Sequence, residues 1–150
     1  MLALRFAIPM AVLICANLAA QTPFVDQIKA ASGRGDFATS DRMIEAARKQ
    51  ALSSPELALA ISWQARKALE LKVYDRADHH AHQARTLCLQ LLKNRKLDAD
   101  AFLPIALGAS IEVEAKVMAA RGEVSGAVAF LQEERRKFAG TSIVERISKT

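Results

Sequence analysis

The chain has 150 residues, 51% of them hydrophobic and 25% charged, with a formal net charge of +5. A chain of this length can bury about 70% of its unfolded surface in one globular domain, and only six Gly and four Pro exclude collagen-like and low-complexity classes. Two cysteines, Cys15 and Cys88, exclude the disulfide framework of small secreted scaffolds.

Residues 1–20 differ from the rest. Arg5 is their single charge, Phe6 to Ala16 is apolar apart from Pro9, and Asn17-Leu18-Ala19-Ala20 precedes Gln21. A basic start, a short apolar middle and small residues at the end predict a secretory signal peptide cleaved near Ala20. The apolar stretch is shorter than the roughly 20 residues a membrane span needs, so no stable span is expected after cleavage. Ile14 before Cys15 is bulky where a lipid-attachment signal needs a small residue, so lipidation is not expected. Removal of Arg5 leaves twenty Lys and Arg against sixteen Asp and Glu, a mild +4.

From Gln21 to Thr150 apolar residues recur at helical spacing and nothing alternates with a strand period, which predicts an all-α domain over 21–150. The expected helices lie at about 23–33, 37–51, 55–72, 74–94, 99–121, 123–139 and 142–149. Ser54-Pro55-Glu56 opens the third as an N-cap, a first-turn Pro and an acid at the positive end of the helix dipole. Tyr74, Ala77, Ala81, Ala84, Cys88, Leu91 and Leu92 form the packing stripe of the fourth. Asp98 is the expected cap of the fifth, which Pro104 and Gly108 should weaken or kink. Gly122 and the run Gly140-Thr141-Ser142 separate the last helices.

Sliding the chain against itself reveals a repeat. An offset of 37 superposes Phe24 on Ile61, Ile28 on Ala65, Phe37 on Tyr74, Ser40 on Ala77 and Ile44 on Ala81. An offset of 50 superposes Ile61 on Ile111, Ala65 on Ala115, Tyr74 on Val124, Ala77 on Ala127 and Ala81 on Leu131. The shared unit is a helical hairpin. Its turn holds Gly35, Lys72 or Gly122, a large apolar residue follows two positions later to plug the junction, and a small residue three further on lets the helices approach.

At Gly35-Asp36-Phe37, at Tyr74, Ala77 and Ala84, and at Gly122-Glu123-Val124 with Ala127, the chain resembles the tetratricopeptide repeat family. Lys72 in place of Gly, Val124 in place of an aromatic, and spacings of 37 and 50 depart from that family's pattern. The resemblance implies antiparallel hairpins stacked as a short right-handed array that binds proteins or peptides. Gly35, Phe37, Ala65, Tyr74, Ala77, Ala81, Ala115, Gly122 and Ala127 would be its packing residues. A second resemblance, carried by Leu91 to Asp100 and Gly140 to Ile143, is to the helical N-terminal region of exported bacterial thioredoxin-like proteins of the TlpA type. It implies a thiol–disulfide neighbour. No Cys-x-x-Cys stands in this chain to carry that activity.

Few residues suggest chemistry. Asp75, Asp78, His79 and His82 share a helical stripe and are weak candidates for a metal site, but no second ligand set is evident on another helix. Cys88, on the apolar stripe, reads as a buried thiol. Arg34-Gly35-Asp36 spells an adhesion tripeptide, yet Gly35 has a turn to make. The basic clusters at Arg48-Lys49, Lys93 to Lys96 and Arg135-Arg136-Lys137 fall near helix C-termini, where the dipole favours cations. Nucleic-acid binding would call for stacking aromatics beyond the one Trp and one Tyr present. Trp63 lies off the packing stripe, over a neighbouring helix or at the rim of a peptide groove. The expectation is therefore an exported, periplasmic or extracellular interaction module without catalytic residues or cofactor.

Overall fold

The computed structural model describes residues 24–50 and 53–150. The expected signal peptide and Cys15 lie outside the described residues. Among these residues the secondary structure is helical, with no strand. The elements are α1 (Phe24–Gly33), α2 (Phe37–Lys49), α3 (Pro55–Glu70), α4 (Tyr74–Leu91), α5 (Leu103–Ala120), α6 (Val124–Lys137) and α7 (Ile143–Lys149), with one turn of 3-10 helix at Leu97–Ala99.

Three of the connections have the same backbone. Gly35, Lys72 and Gly122 have φ of 75°, 58° and 89°, the left-handed region that glycine enters freely and other residues enter at a cost. Each turn closes with the same two bonds. Gly35 N–H donates to the Ser32 carbonyl and Asp36 N–H to that of Ala31; Lys72 donates to Leu69 and Val73 to Ala68; Gly122 donates to Ala119 and Glu123 to Met118. The offsets of 37 and 50 thus superpose turns as well as side chains.

Successive pairs then pack on one another. Helix α1 lies against α2 and α3, α3 against α4 and α5, α4 against α5, and α5 against α6 and α7. Helices α3 and α5 are the central layer, which is why Leu57 to Ile61 and Ala106 to Ile111 are buried in unbroken runs rather than along one stripe. Ile28, Ile61, Leu103, Leu107 and Ile111 are fully buried. Each such side chain contributes about 1.5–3 kcal/mol relative to leaving it in water.

The small crossing residues are buried in all three hairpins: Ser40 and Ala77 at 0% exposure and Ala127 at 5%. Ala65, Ala68, Ala77, Ala81, Val113 and Val117 form one cluster, with Phe37 and Tyr74 packed against it. Val124 departs from the expected plug and is 58% exposed. Phe37 and Tyr74 pack on helices of the following hairpin, whereas among the described residues α6 precedes the seven-residue α7, which covers α5 and the later part of the unit.

The longer second spacing has a local cause. Helix α4 has 18 residues against 13 in α2, and the segment 92–102 with its 3-10 turn replaces the short connection before α3. Asp100, rather than Asp98, caps α5: its Oδ1 accepts from the Phe102 and Leu103 N–H groups at 2.8 and 2.9 Å, so the helix starts four residues later than expected. Asp98 instead accepts from Ser142 at the start of α7. Pro104 occupies the first turn of α5, where its missing N–H is harmless, and the helix runs on through Gly108. A Cβ at Gly108 would meet the Arg146 Cδ at 2.9 Å, so the glycine admits α7 to the face of α5.

Lys72 supplies a test of this backbone. Lys72→Gly should relieve a left-handed strain and raise stability by about 0.5–1 kcal/mol, a shift of a few degrees in Tm. Calorimetry showing a lower Tm would contradict the turn.

Candidate functional site

The polar side chains that the fold draws inward sit at the junctions between hairpins. Gln27, Gln64 and Glu114 occupy one repeat position, and Arg48, Arg85 and Arg135 another; Gln64 and Glu114 are buried and Arg85 partly so, while Gln27, Arg48 and Arg135 are exposed. At the first junction Gln64 of α3, fully buried, donates from Nε2 to Asp41 Oδ1 of α2. Arg76 of α4 donates from Nη1 to Asp41 Oδ2 at 2.6 Å, and its guanidinium lies over the Phe37 ring at 4.9 Å. His80 of α4, 6% exposed, places Nε2 3.3 Å from Asp41 Oδ1. Asp41 thereby ties three helices.

At the second junction Arg85 of α4 donates to Glu114 of α5 at 3.3 Å and to Glu134 of α6 at 2.7 Å. Its guanidinium stands 5.1 Å from the Phe130 ring. Glu134 stands where the other hairpins have Ala47 and Ala84, and it is 2% exposed. Burial pushes the Glu114 carboxyl upward, against the pull of Arg85 beside it.

Between α2 and α4 lies an open groove of about 760 Å³. Arg42, Glu45 and Arg48 line it from α2; Val73, Arg76 and His80 line it from α4 and its leading turn. This volume falls in the range of ligand-sized clefts. Burial pushes the His80 imidazole down to about 4, only partly offset by the Asp41 carboxylate, while His79 and Arg76 push the same way as burial. The ring is therefore neutral at pH 7, and neither of its nitrogens has a hydrogen-bond partner among the described residues. Helical spacing puts His79 and His82, but not His80, on the candidate metal stripe. The signal for His80 was available, because His80 is one step before Ala81 and falls at the edge of the packing stripe of α4.

The four residues of the candidate metal stripe line one open pocket with Gln83 and Arg121. Arg121, at the end of α5, donates to Asp78 at 2.8 Å and to Asp75 at 2.7 Å. His79 Nε2 is 2.7 Å from Gln83 Nε2, and His82 Nδ1 is 3.9 Å from Glu114. Among the described residues no group of three or more His, Cys, Asp and Glu is arranged to hold a metal ion. Cys88 is buried and free, its thiol pushed up to about 12 by burial and then by Asp100. Asp36 of the adhesion-like tripeptide caps α2 by accepting from Thr39 N–H at 3.1 Å. Trp63 is partly buried against the core, with Lys29 Nζ 4.6 Å and the Arg66 guanidinium 4.7 Å from its ring. Among the described residues no helix is long and apolar enough to cross a membrane. The two stretches that carry the thioredoxin-like resemblance meet where Ser142 donates to Asp98.

The buried ions give two expected outcomes. Arg85→Met strands two buried carboxylates and should cost about 3–5 kcal/mol in urea unfolding, with Glu134→Gln in the same chain restoring part of it; a loss within 0.5 kcal/mol of zero would contradict the cluster. His80 has a folded pKa below its unfolded value of 6.5, so between pH 6.5 and about 4 the unfolded chain takes up a proton that the folded chain refuses. Its contribution to stability is present above pH 6.5 and falls by on the order of 3 kcal/mol on acidification to pH 4. The difference in unfolding free energy between the parent chain and His80→Gln should shrink or change sign across that interval; a pH-independent difference would show an exposed imidazole.

No protein-family model, curated protein or solved structure matches the chain, so its function has to be read from residues and geometry.

Proposed function

We propose that this chain is an exported, non-enzymatic module of stacked helical hairpins, tetratricopeptide-repeat-like in arrangement, that binds a protein or peptide partner. The observation that carries the reading is the recurrence of one turn at Gly35, Lys72 and Gly122, each followed at the same distance by a small buried residue. Hairpins that cannot bury their apolar faces alone stack on their neighbours, and the stack leaves long ridges and grooves that take extended partners. The pattern of residues 1–20 supports export, with 21–150 as the functioning domain in this reading.

Expression of the full chain in a bacterial host, fractionation and N-terminal sequencing test the export. The expected product is a chain beginning near Gln21 in the envelope fraction; a cytosolic chain that keeps Arg5 would contradict it. A photo-crosslinking residue placed separately at Trp63 and at Val73 tests the binding. A discrete crosslinked species, absent from the Ala77→Arg variant, is expected. A featureless smear from both positions, unchanged by Ala77→Arg, would contradict an ordered binding surface.

A further inference from the structure

We propose that the groove between α2 and α4 binds an extended peptide segment that presents carboxylate side chains to Arg42 and Arg48 and apolar side chains to Val73 and the groove floor. The proposal deepens the binding reading above and rests on it.

The charges at the groove are unevenly satisfied. Asp41 is held by Gln64 and Arg76, and Asp75 by Arg121. Arg42 donates only to the Thr39 hydroxyl, at 3.0 Å, and neither Arg42 nor Arg48 has a carboxylate partner among the described residues. Glu45 stands between them as the one unpaired acid, so the open wall of α2 offers two guanidinia against one carboxylate. Guanidinium forks match carboxylates in charge and shape. Arg42 and Arg48 are six residues apart on one helix, about 9 Å along its axis and about 120° around it, and both line the groove, so each would take a separate carboxylate of the segment.

The opposite wall supplies the rest. Val73 is 42% exposed where the turn leads into α4, an apolar contact for the residue between two acids. His80 on the same wall is almost wholly buried, its Nε2 facing the Asp41 carboxylate at 3.3 Å. Helices α2 and α4 make no close backbone contact with each other; Arg76 and His80 reach Asp41 across the groove, so the peptide segment would lie over these side chains rather than between the helices.

Fluorescence polarisation with labelled, end-blocked hexapeptides tests this on the domain from Gln21 to Thr150 and on the full chain. The probes are alternating Glu-Leu, alternating Gln-Leu and alternating Lys-Leu. Saturable binding of the Glu-Leu peptide is expected, at least tenfold tighter than either other peptide and weakened at least tenfold in Arg42→Gln/Arg48→Gln. The control Arg135→Gln/Arg136→Gln, on α6, should bind within twofold of the parent. Equal binding of all three peptides, or equal weakening by both double variants, would show attraction to a basic surface and overturn the proposal. Because circular dichroism checks that the exposed-residue variants fold, loss of structure cannot stand in for loss of binding. Failure of the peptide to bind while crosslinking through Trp63 persists would overturn this groove and leave the binding reading standing.

Discussion

One backbone constraint organises the molecule: within each of the three hairpins the chain must reverse between its helices through a residue with positive φ. Glycine meets that demand at Gly35 and Gly122 without steric cost. Lys72 meets it at the about 1–2 kcal/mol that a side chain pays in the left-handed region. The cost is tolerable because the turn delivers Ala77 and Ala81 against Ala65 and Ala68, all fully buried, and sets α3 and α4 in their closest packing. A small side chain at each crossing then determines how near the two helices lie, and the next hairpin covers what the first leaves open.

Polar groups follow the same register. Gln64 and Glu114, equivalent by position, each lie between the outer helices on either side and bind an ion there, Asp41 in one case and Arg85 in the other. Buried ions of this kind add little net stability, since desolvation opposes their attraction, yet losing one partner is costly. The first junction keeps one side open to solvent and becomes the α2–α4 groove, whereas Glu134 and Phe130 close the second around Arg85. Equivalent junctions therefore leave an open groove in one place and a closed ionic cluster in another.

Much of this architecture was legible in the residues. Helical periodicity, Ser54-Pro55-Glu56 and the glycines mark most helix ends to within a few positions, and the offsets of 37 and 50 align turns that the backbone shows to be the same. The start of α5 was not legible, because Asp98 and Asp100 are equally good caps in sequence and only the docking of α7 claims Asp98. Val124 looked like Tyr74 by position, but a plug needs a following hairpin to fill and α6 has none in the described residues. The polar junctions were hidden for a different reason. Asp41, Gln64 and His80 lie on three helices, and nothing in linear spacing says that a neutral histidine and a glutamine face the same carboxylate.

The central claim is that three successive hairpins share one left-handed turn, with Lys72 standing where its counterparts are glycines. Backbone chemical shifts and HN–Hα couplings from solution NMR read this conformation directly. The account predicts left-handed values at Gly35, Lys72 and Gly122, with helical values resuming within two residues on the far side of each. Right-handed or extended values at Lys72, with helix running unbroken from α3 into α4, would contradict it.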